Sequence, residues 1–569
     1  MNSGNSNLNG QGQTKLSEDD NLDELLQSVV HEVKTYADRL AHQITKLSDI
    51  GRALSGVHDL SELLEMIVDQ ARQFTNADAG TLYLKEEGSL RFKIVQNDTL
   101  KIRMGGKTGE AIPFPPVELK ETNVSAFVAL KGESINIPDV YFTDLFDFTG
   151  PKKFDESTGY RSQSMLVVPM RNHENDVIGV LQLLNAKNPK TSKVISFSPD
   201  NENLTESLAS QAAVAVTNAK LITDMTDLFE SFVQVMATAI DEKSPVTGGH
   251  IRRVANLTLT MADIINQQLD GHFKDKHFTA DQMYELRIAA WMHDIGKVTT
   301  PVEIVEKAKK LQTIFDRIHY INVRMDYLLQ KVKLKGMEKK IELMQKGVSP
   351  EIIQKIDEEM TAKIAELKDI KEFINRCNEP GEFLEDDNIQ RLQDISKMTY
   401  VDEDGNEQNF LDENELLNLS IRRGSITEAE RKKMQDHASV TLKMLNQIPF
   451  TKKLKNIPLF AGAHHEYING KGYPLGLAGD EIPFEGKLMA VTDIAEALTA
   501  SDRPYKKAMP LNVVYKILRS MAKNGELDNE MVELFINEGV YEKYKQKYET
   551  LASPDTETKQ DEQLTTTSK

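Results

Sequence analysis

The 569-residue chain is 40% hydrophobic with 7% aromatics, an ordinary globular composition, and is long enough for roughly three or four domains. Its formal charge of −19 argues against a nucleic-acid polymer as partner, but not against a small anion met by metal ions and a few cations. The single cysteine, Cys377, excludes an internal disulfide and a thiolate metal cluster; no apolar run reaches the ~20 residues of a membrane span, and the polar start is unlike a secretory signal, so a cytoplasmic protein is expected.

Residues 1–20 are rich in Asn, Gly, Gln and Ser and are expected to be disordered, as is the polar tail 551–569. A helix follows over 21–50. Leu22, Leu26, Val29, Val33, Tyr36 and Leu40 recur at steps of four and three, the pattern of a coiled-coil seam or of a helix packed on its own domain.

Residues 51–220 alternate helical and extended patterns. An amphipathic run Leu60–Phe74 precedes strands at Thr81–Leu84, Leu90–Val95, Ser134–Ile137, Met165–Pro169 and Val177–Leu184, the last two joined by the turn His173-Glu174-Asn175-Asp176. A helical run near Leu204–Leu221 closes the segment. Strands between terminal helices fit an α+β module with an antiparallel sheet. GTLYL at 80–84, SMLVVPM at 164–170 and DVIGVLQLLNAKN at 176–188 make the segment resemble a GAF sensor domain. Asn185, Lys187, Phe197 and Asp200 are similar to a signature of cyclic-nucleotide-binding GAF domains. That likeness implies a small ligand, unknown in identity; the alternative is no ligand and a role in dimerisation or signal relay. No cysteine lies in the segment for covalent attachment of a bilin.

Residues 221–244 read as a linker helix. Leu221, Met225, Leu228, Phe232, Val235 and Ala239 form one a/d stripe, and Pro245 should end it. The stripe favours a homodimer through this helix.

The segment 245–550 reads as all-α and carries the chemistry. It is interrupted at about 310–415 by a charged insertion, expected as solvated helices or a helical hairpin without a second core. Five of the chain's 12 histidines fall in one set with two aspartates: His250, His293-Asp294, His437, His464-His465 and Asp493. Imidazole and carboxylate together suit a hydrolytic pair of transition-metal ions. In WMHDIGK at 291–297 a continuous helix would place His293 and Lys297 on one face, the carboxylate beside them can bridge two ions, and Gly296 permits close approach of a neighbour. Adjacent His464 and His465 diverge by ~100° on a regular helix, so both can bind one centre only at a helix end or a distortion.

These residues, with TGGHIRRV at 247–254, HHEYINGKGYP at 464–474, VTDIAEALTA at 491–500 and SDRPYKK at 501–507, closely resemble the HD-GYP family of cyclic-dinucleotide phosphodiesterases. The resemblance implies that His250, His293, Asp294 and Asp493 hold one ion and His437, His464 and His465 the other, with Asp294 bridging. The ions would be iron or manganese. A glutamate that completes a three-metal site in some members is Val246 here, so two metals are expected. Water activated by the pair would attack phosphorus, Lys297 would meet a phosphoryl oxygen, and Arg503 and Lys506 match substrate-phosphate positions. Gly472, Tyr473 and Pro474 would shape the loop at a nucleobase. The implied reaction is hydrolysis of cyclic di-GMP to linear pGpG, and on to GMP if a second cleavage follows. 3′3′-cyclic GMP-AMP is the alternative substrate, and a catalytically silent cyclic-dinucleotide receptor is the alternative of another class. The other histidines are expected at surface or packing positions.

Overall fold

The computed structural model describes residues 13–548, apart from 58, 108, 244–248, 382, 403 and 501–507. The described chain divides into two compact units at Leu228/Phe229. No helix among the described residues is long and apolar enough to cross a membrane.

The first unit begins with a helix, Gln13–Gly56, which starts eight residues before the expected disorder ends. Its Leu26, Val29, Val33 and Tyr36 are exposed. The side chains of Leu22 and Leu40 lie outside the description.

An antiparallel sheet follows, built from β1 (Ala77–Glu86), β2 (Ser89–Asn97), β3 (Ile102–Gly105), β4 (Val117–Glu118), β5 (Ile135–Ile137), β6 (Met165–Arg171), β7 (Val177–Lys187) and β8 (Val194–Ile195). The order along the sheet is β3-β2-β1-β7-β6-β5, with β4 on β2 and β8 on β7. Period-two alternation separates its faces. Leu82, Leu84, Leu166, Val168, Leu181 and Leu183 point into one core with Ile67 and Val68 of the helix Leu60–Thr75 and Leu208, Ala212 and Val216 of a later helix. Tyr83, Met165, Val167 and Val180 point the other way, against Val124 and Val128 of the helix Val124–Lys131 and against Phe148. That helix and Thr149–Thr158 are additions to the sequence reading. This is the α+β architecture expected of the segment.

One helix, Pro199–Asp241, crosses the boundary between the units. In its last turns Val233, Ala237 and Ile240 are buried in the core of the second unit. The residues of the a/d stripe, Leu221, Met225, Leu228, Phe232 and Val235, are exposed instead. Pro245 lies outside the described residues.

The second unit is largely helical. Its main core joins the helices His250–Gln267, Ala280–Met292, Ile457–Gly462, Phe484–Thr499, Leu511–Lys523 and Asn529–Asn537. The insertion departs from expectation in two ways. It is a helical hairpin, Ile318–Gln345 and Pro350–Asn378, but it buries a core of its own, including Met325, Phe373, Ile374, Leu392 and Phe410. It also carries a two-stranded hairpin, Thr399–Val401 with Glu407–Asn409, so the segment is not purely α. The apolar residues that make this core are shared between antiparallel helices, and each stripe is too thin to stand out among its charges.

Candidate metal centre

Five short segments deliver the ligand set. The helix Ala280–Met292 starts with a capping box from Thr279 and Gln282 and ends just before His293. Ile295–Thr299 then continues as a 3-10 turn. The break corrects the expected continuous helix: Lys297 lies over Asp294, with Nζ 2.5 Å from Oδ2, and not in line with His293. His437 sits mid-way along Glu428–Leu445, whose start is fixed by a second capping box, Thr427 and Glu430. His464 and His465 lie just past the end of Ile457–Gly462, the placement that adjacent ligands require. Asp493 projects from Phe484–Thr499, which is locked to the helix carrying His250 by a 2.8 Å Thr258–Thr492 hydroxyl bond.

The two oxygens of Asp294 face different groups. Oδ2 lies 3.3 Å from His250 Nε2 and 3.1 Å from His293 Nε2. Oδ1 lies 3.3 Å from His437 Nε2 and 4.0 Å from His464 Nε2. Asp493 Oδ1 completes the first group at 3.2 Å from His250 Nε2 and 3.9 Å from His293 Nε2. His437, His464 and His465 form the second group; their ligand atoms lie within 4.8 Å of one another, as do those of His250, His293 and Asp294. Donors each ~2.1 Å from one ion sit ~3 to ~3.5 Å apart, close to these separations.

Hydrogen bonding decides what fills the gap. His293 Nδ1 donates to the Ala290 carbonyl at 2.7 Å, His464 Nδ1 to Ala461 at 2.6 Å, and His437 Nδ1 to Met434. Each Nδ1 carries the proton, so each Nε2 offers a lone pair. His293 Nε2, His437 Nε2, His464 Nε2 and Asp294 Oδ1 are buried without a hydrogen-bond partner. Lone pairs thus face carboxylate oxygens in the interior, an arrangement that only a cation between them makes favourable. The residues fit a pair of divalent ions.

The electrostatics agree. Burial alone would raise Asp294, but His293 and Lys297 beside it hold it well below the usual carboxylate range. Burial opposes ionisation of Asp493 as well, and His250 overrides it. Burial pushes His465 down to about 3, and it pushes His464, beside His465 and His293, well below its ordinary value. Burial would lower His250, but its bonds to Asp294, Asp493 and Glu496 raise it well above its ordinary value, so a proton there must give way to a cation. The neutral imidazoles of His464 and His465 and the ionised carboxylates are already in the forms that bind metal.

Around the centre, Gly296 is a contact point. A Cβ there would lie 2.0 Å from the His437 carbonyl oxygen, and its N–H donates to Thr441 Oγ1 at 3.0 Å. Gly472 is equally tight, since a Cβ would come within 2.3 Å of Tyr467 N. The Tyr473 ring stacks on His465 at 4.8 Å, followed by Pro474 across a cis bond. Arg503, Lys506 and Val246 lie outside the described residues.

The sequence reading missed three buried carboxylates. Glu496 bonds His250 Nδ1. Glu466 accepts the N–H groups of Leu475, Gly476 and Leu477 at 2.6, 3.2 and 3.0 Å, holding the loop after Tyr473. Asp241 accepts from the main chain of Gly249 and Ile251, and burial pushes it up to about 6. Only Glu496, one turn beyond Asp493, carried a usable signal.

Of the four candidate ligand residues of the first unit, Asn185 and Lys187 are linked through Tyr160 and Asp78. Asn185 bonds the Tyr160 hydroxyl at 2.9 Å and the Arg161 carbonyl at 2.7 Å. Lys187 pairs with buried Asp78, which also accepts from Tyr160. Phe197 is part of the helix-covered core, and Asp200 is exposed in the first turn of Pro199–Asp241.

Comparison with known proteins gives a consistent picture. Residues 59–216 match the GAF domain family, and residues 247–398 and 414–531 match HD domain families. A 96-residue stretch is 41% identical to 3′3′-cGAMP-specific phosphodiesterase 3 of Vibrio cholerae, covering 17% of this chain and 20% of that protein. A 113-residue stretch is 34% identical to 3′3′-cGAMP-specific phosphodiesterase 1 of the same organism, covering 20% of this chain and 25% of that protein. A 107-residue stretch is 34% identical to the cyclic di-GMP phosphodiesterase response regulator RpfG of Xanthomonas campestris, covering 19% of this chain and 27% of that protein. The chain therefore spans only about a fifth to a quarter of these relatives' length.

Proposed function

We propose that this chain, which carries a GAF domain followed by HD-domain sequence, is a metal-dependent phosphodiesterase that opens cyclic dinucleotides, with cyclic di-GMP as substrate and linear pGpG as product. The observation that carries the reading is Asp294: one carboxylate whose two oxygens address two separate clusters of imidazole nitrogens, with the Nε2 atoms of His293, His437 and His464 buried and unpartnered. Divalent cations bound there, iron or manganese by their nitrogen and oxygen ligands, would activate water and neutralise charge on phosphoryl oxygens. His250, His293, Asp294 and Asp493 would hold one, and His437, His464, His465 and Asp294 the other.

The chain's own groups do the rest. Lys297, partly exposed beside Asp294, supplies an ammonium at the mouth of the centre, where a scissile phosphate would arrive. Tyr473, fixed on His465, offers an aromatic face for a purine, and Gly472 leaves the main chain bare beside it. Arg503 and Lys506 are assigned the flanking phosphate by their family positions. A second cleavage to GMP would use the same groups.

The 3′3′-cGAMP-specific relatives favour a second reading in which cyclic GMP-AMP is preferred. The exposed stripe of Pro199–Asp241 supports a homodimer through that helix, and the GAF domain supports regulation of the hydrolase.

The test is turnover of cyclic di-GMP, cyclic GMP-AMP and cyclic di-AMP in competition, with manganese or ferrous ion supplied. Hydrolysis by the wild type and its loss in Asp294→Ala is expected. Tight binding of all three without cleavage would make the protein a receptor and overturn the enzymatic reading.

A further inference from the structure

Three of the ligand imidazoles solve one problem in the same way. His293, His437 and His464 each donate Nδ1–H to the carbonyl three residues earlier, which fixes the tautomer and aims Nε2 at the centre. His250 is held differently. It is the first residue of its helix, directly after Gly249, whose φ of 72° turns the chain into the helix. Its Nδ1 instead meets the carboxylate of Glu496.

That carboxylate is itself held. Glu496 is buried, and its other oxygen accepts from Arg253 Nε at 2.5 Å. Arg253 lies three residues after His250 and Glu496 three after Asp493, so one turn of each of two packed helices presents a ligand and its support together. With Nδ1 engaged, His250 Nε2 is left 3.2 Å from Asp493 and 3.3 Å from Asp294.

We infer that Glu496, oriented by Arg253, is the positioning residue for His250, and that it sets the metal affinity of the His250–His293–Asp493 half of the centre and not of the other half. The inference rests on the two-metal reading above. A carboxylate behind a ligand imidazole raises its basicity as well as fixing its direction, and loss of such a partner costs 10–100-fold in metal affinity. An ion pair that merely joined two helices would leave metal binding untouched.

The experiment is a manganese titration of the purified full chain, followed by calorimetry and elemental analysis, on wild type, Glu496→Ala and the near-isosteric Glu496→Gln. The wild type should take up two ions per chain. Glu496→Ala should bind one of the two 10–100-fold more weakly and leave the other unchanged. Glu496→Gln, which keeps an oxygen acceptor and the packing volume, should fall between them. Should Glu496→Ala fail to fold, Glu496→Gln alone decides. Unchanged affinities at both sites in the variants would overturn the positioning role while leaving the metal centre standing. A wild type that takes up no metal would overturn both.

Discussion

At the scale of single residues, the centre depends as much on an absent side chain as on the ligands. Gly296 lets the 3-10 turn after Asp294 press against the helix Glu428–Leu445, and an alanine there would place Cβ 2.0 Å from His437 O and 2.7 Å from Thr441 N. The neighbour is main chain and cannot rotate away, so the helix must shift. Gly296→Ala is expected to cost about 1–3 kcal/mol, as overpacking does, and to weaken metal binding on the His437 side first. Thermal unfolding of the metal-free chain measures the first effect, and the manganese titration the second. The order and type of the ligands were legible in the sequence because imidazole and carboxylate residues recur there in a dense and unusual series. Glu466 was not, because a glutamate in a turn looks solvated until its partners are placed, and Glu496 was signalled only by its place one turn beyond Asp493.

At the scale of elements, the insertion carries a local conflict. Lys310 is 1% exposed, and its ammonium reaches the Leu419 carbonyl at 3.3 Å, beyond the ordinary hydrogen-bond range. Burial lowers its pKa from the usual 10.5. A lysine depressed in the folded state destabilises it fully below the folded pKa, and the penalty fades as pH rises towards 10.5. Lys310→Met should therefore stabilise the chain at neutral pH, by about 1–2 kcal/mol on the usual cost of a poorly partnered buried polar group. Its advantage over wild type should shrink in alkaline buffer, and denaturant melts at two pH values read both. The strands of the first unit were readable because alternation such as Leu82-Tyr83-Leu84 splits cleanly between two cores. The insertion's core was not, since Met325 and Phe373 sit on different helices and neither helix has a broad apolar face.

At the scale of the whole molecule, the apolar stripe Leu221–Met225–Leu228–Phe232–Val235 lies exposed on a helix whose other residues, Val233, Ala237 and Ile240, are already buried. A stripe at this spacing suits a second copy of the chain, the homodimer proposed above. The wild type is expected to sediment as a dimer and Leu228→Asp/Phe232→Asp as a monomer; a monomeric wild type would refute the assignment. The insertion has a different bearing, on how the centre can assemble at all. Lys307 pairs with Glu430 at 2.8 Å, and its carbonyl accepts from Ser425 at 2.6 Å, so the two ends of the excursion are stitched together. Closing a chain loop costs about 0.6 kcal/mol for each doubling of its length. Once the excursion has condensed on its own, the search that brings His437 to Asp294 runs only along the short arms either side of the stitch, and a long detour becomes a nearly local encounter.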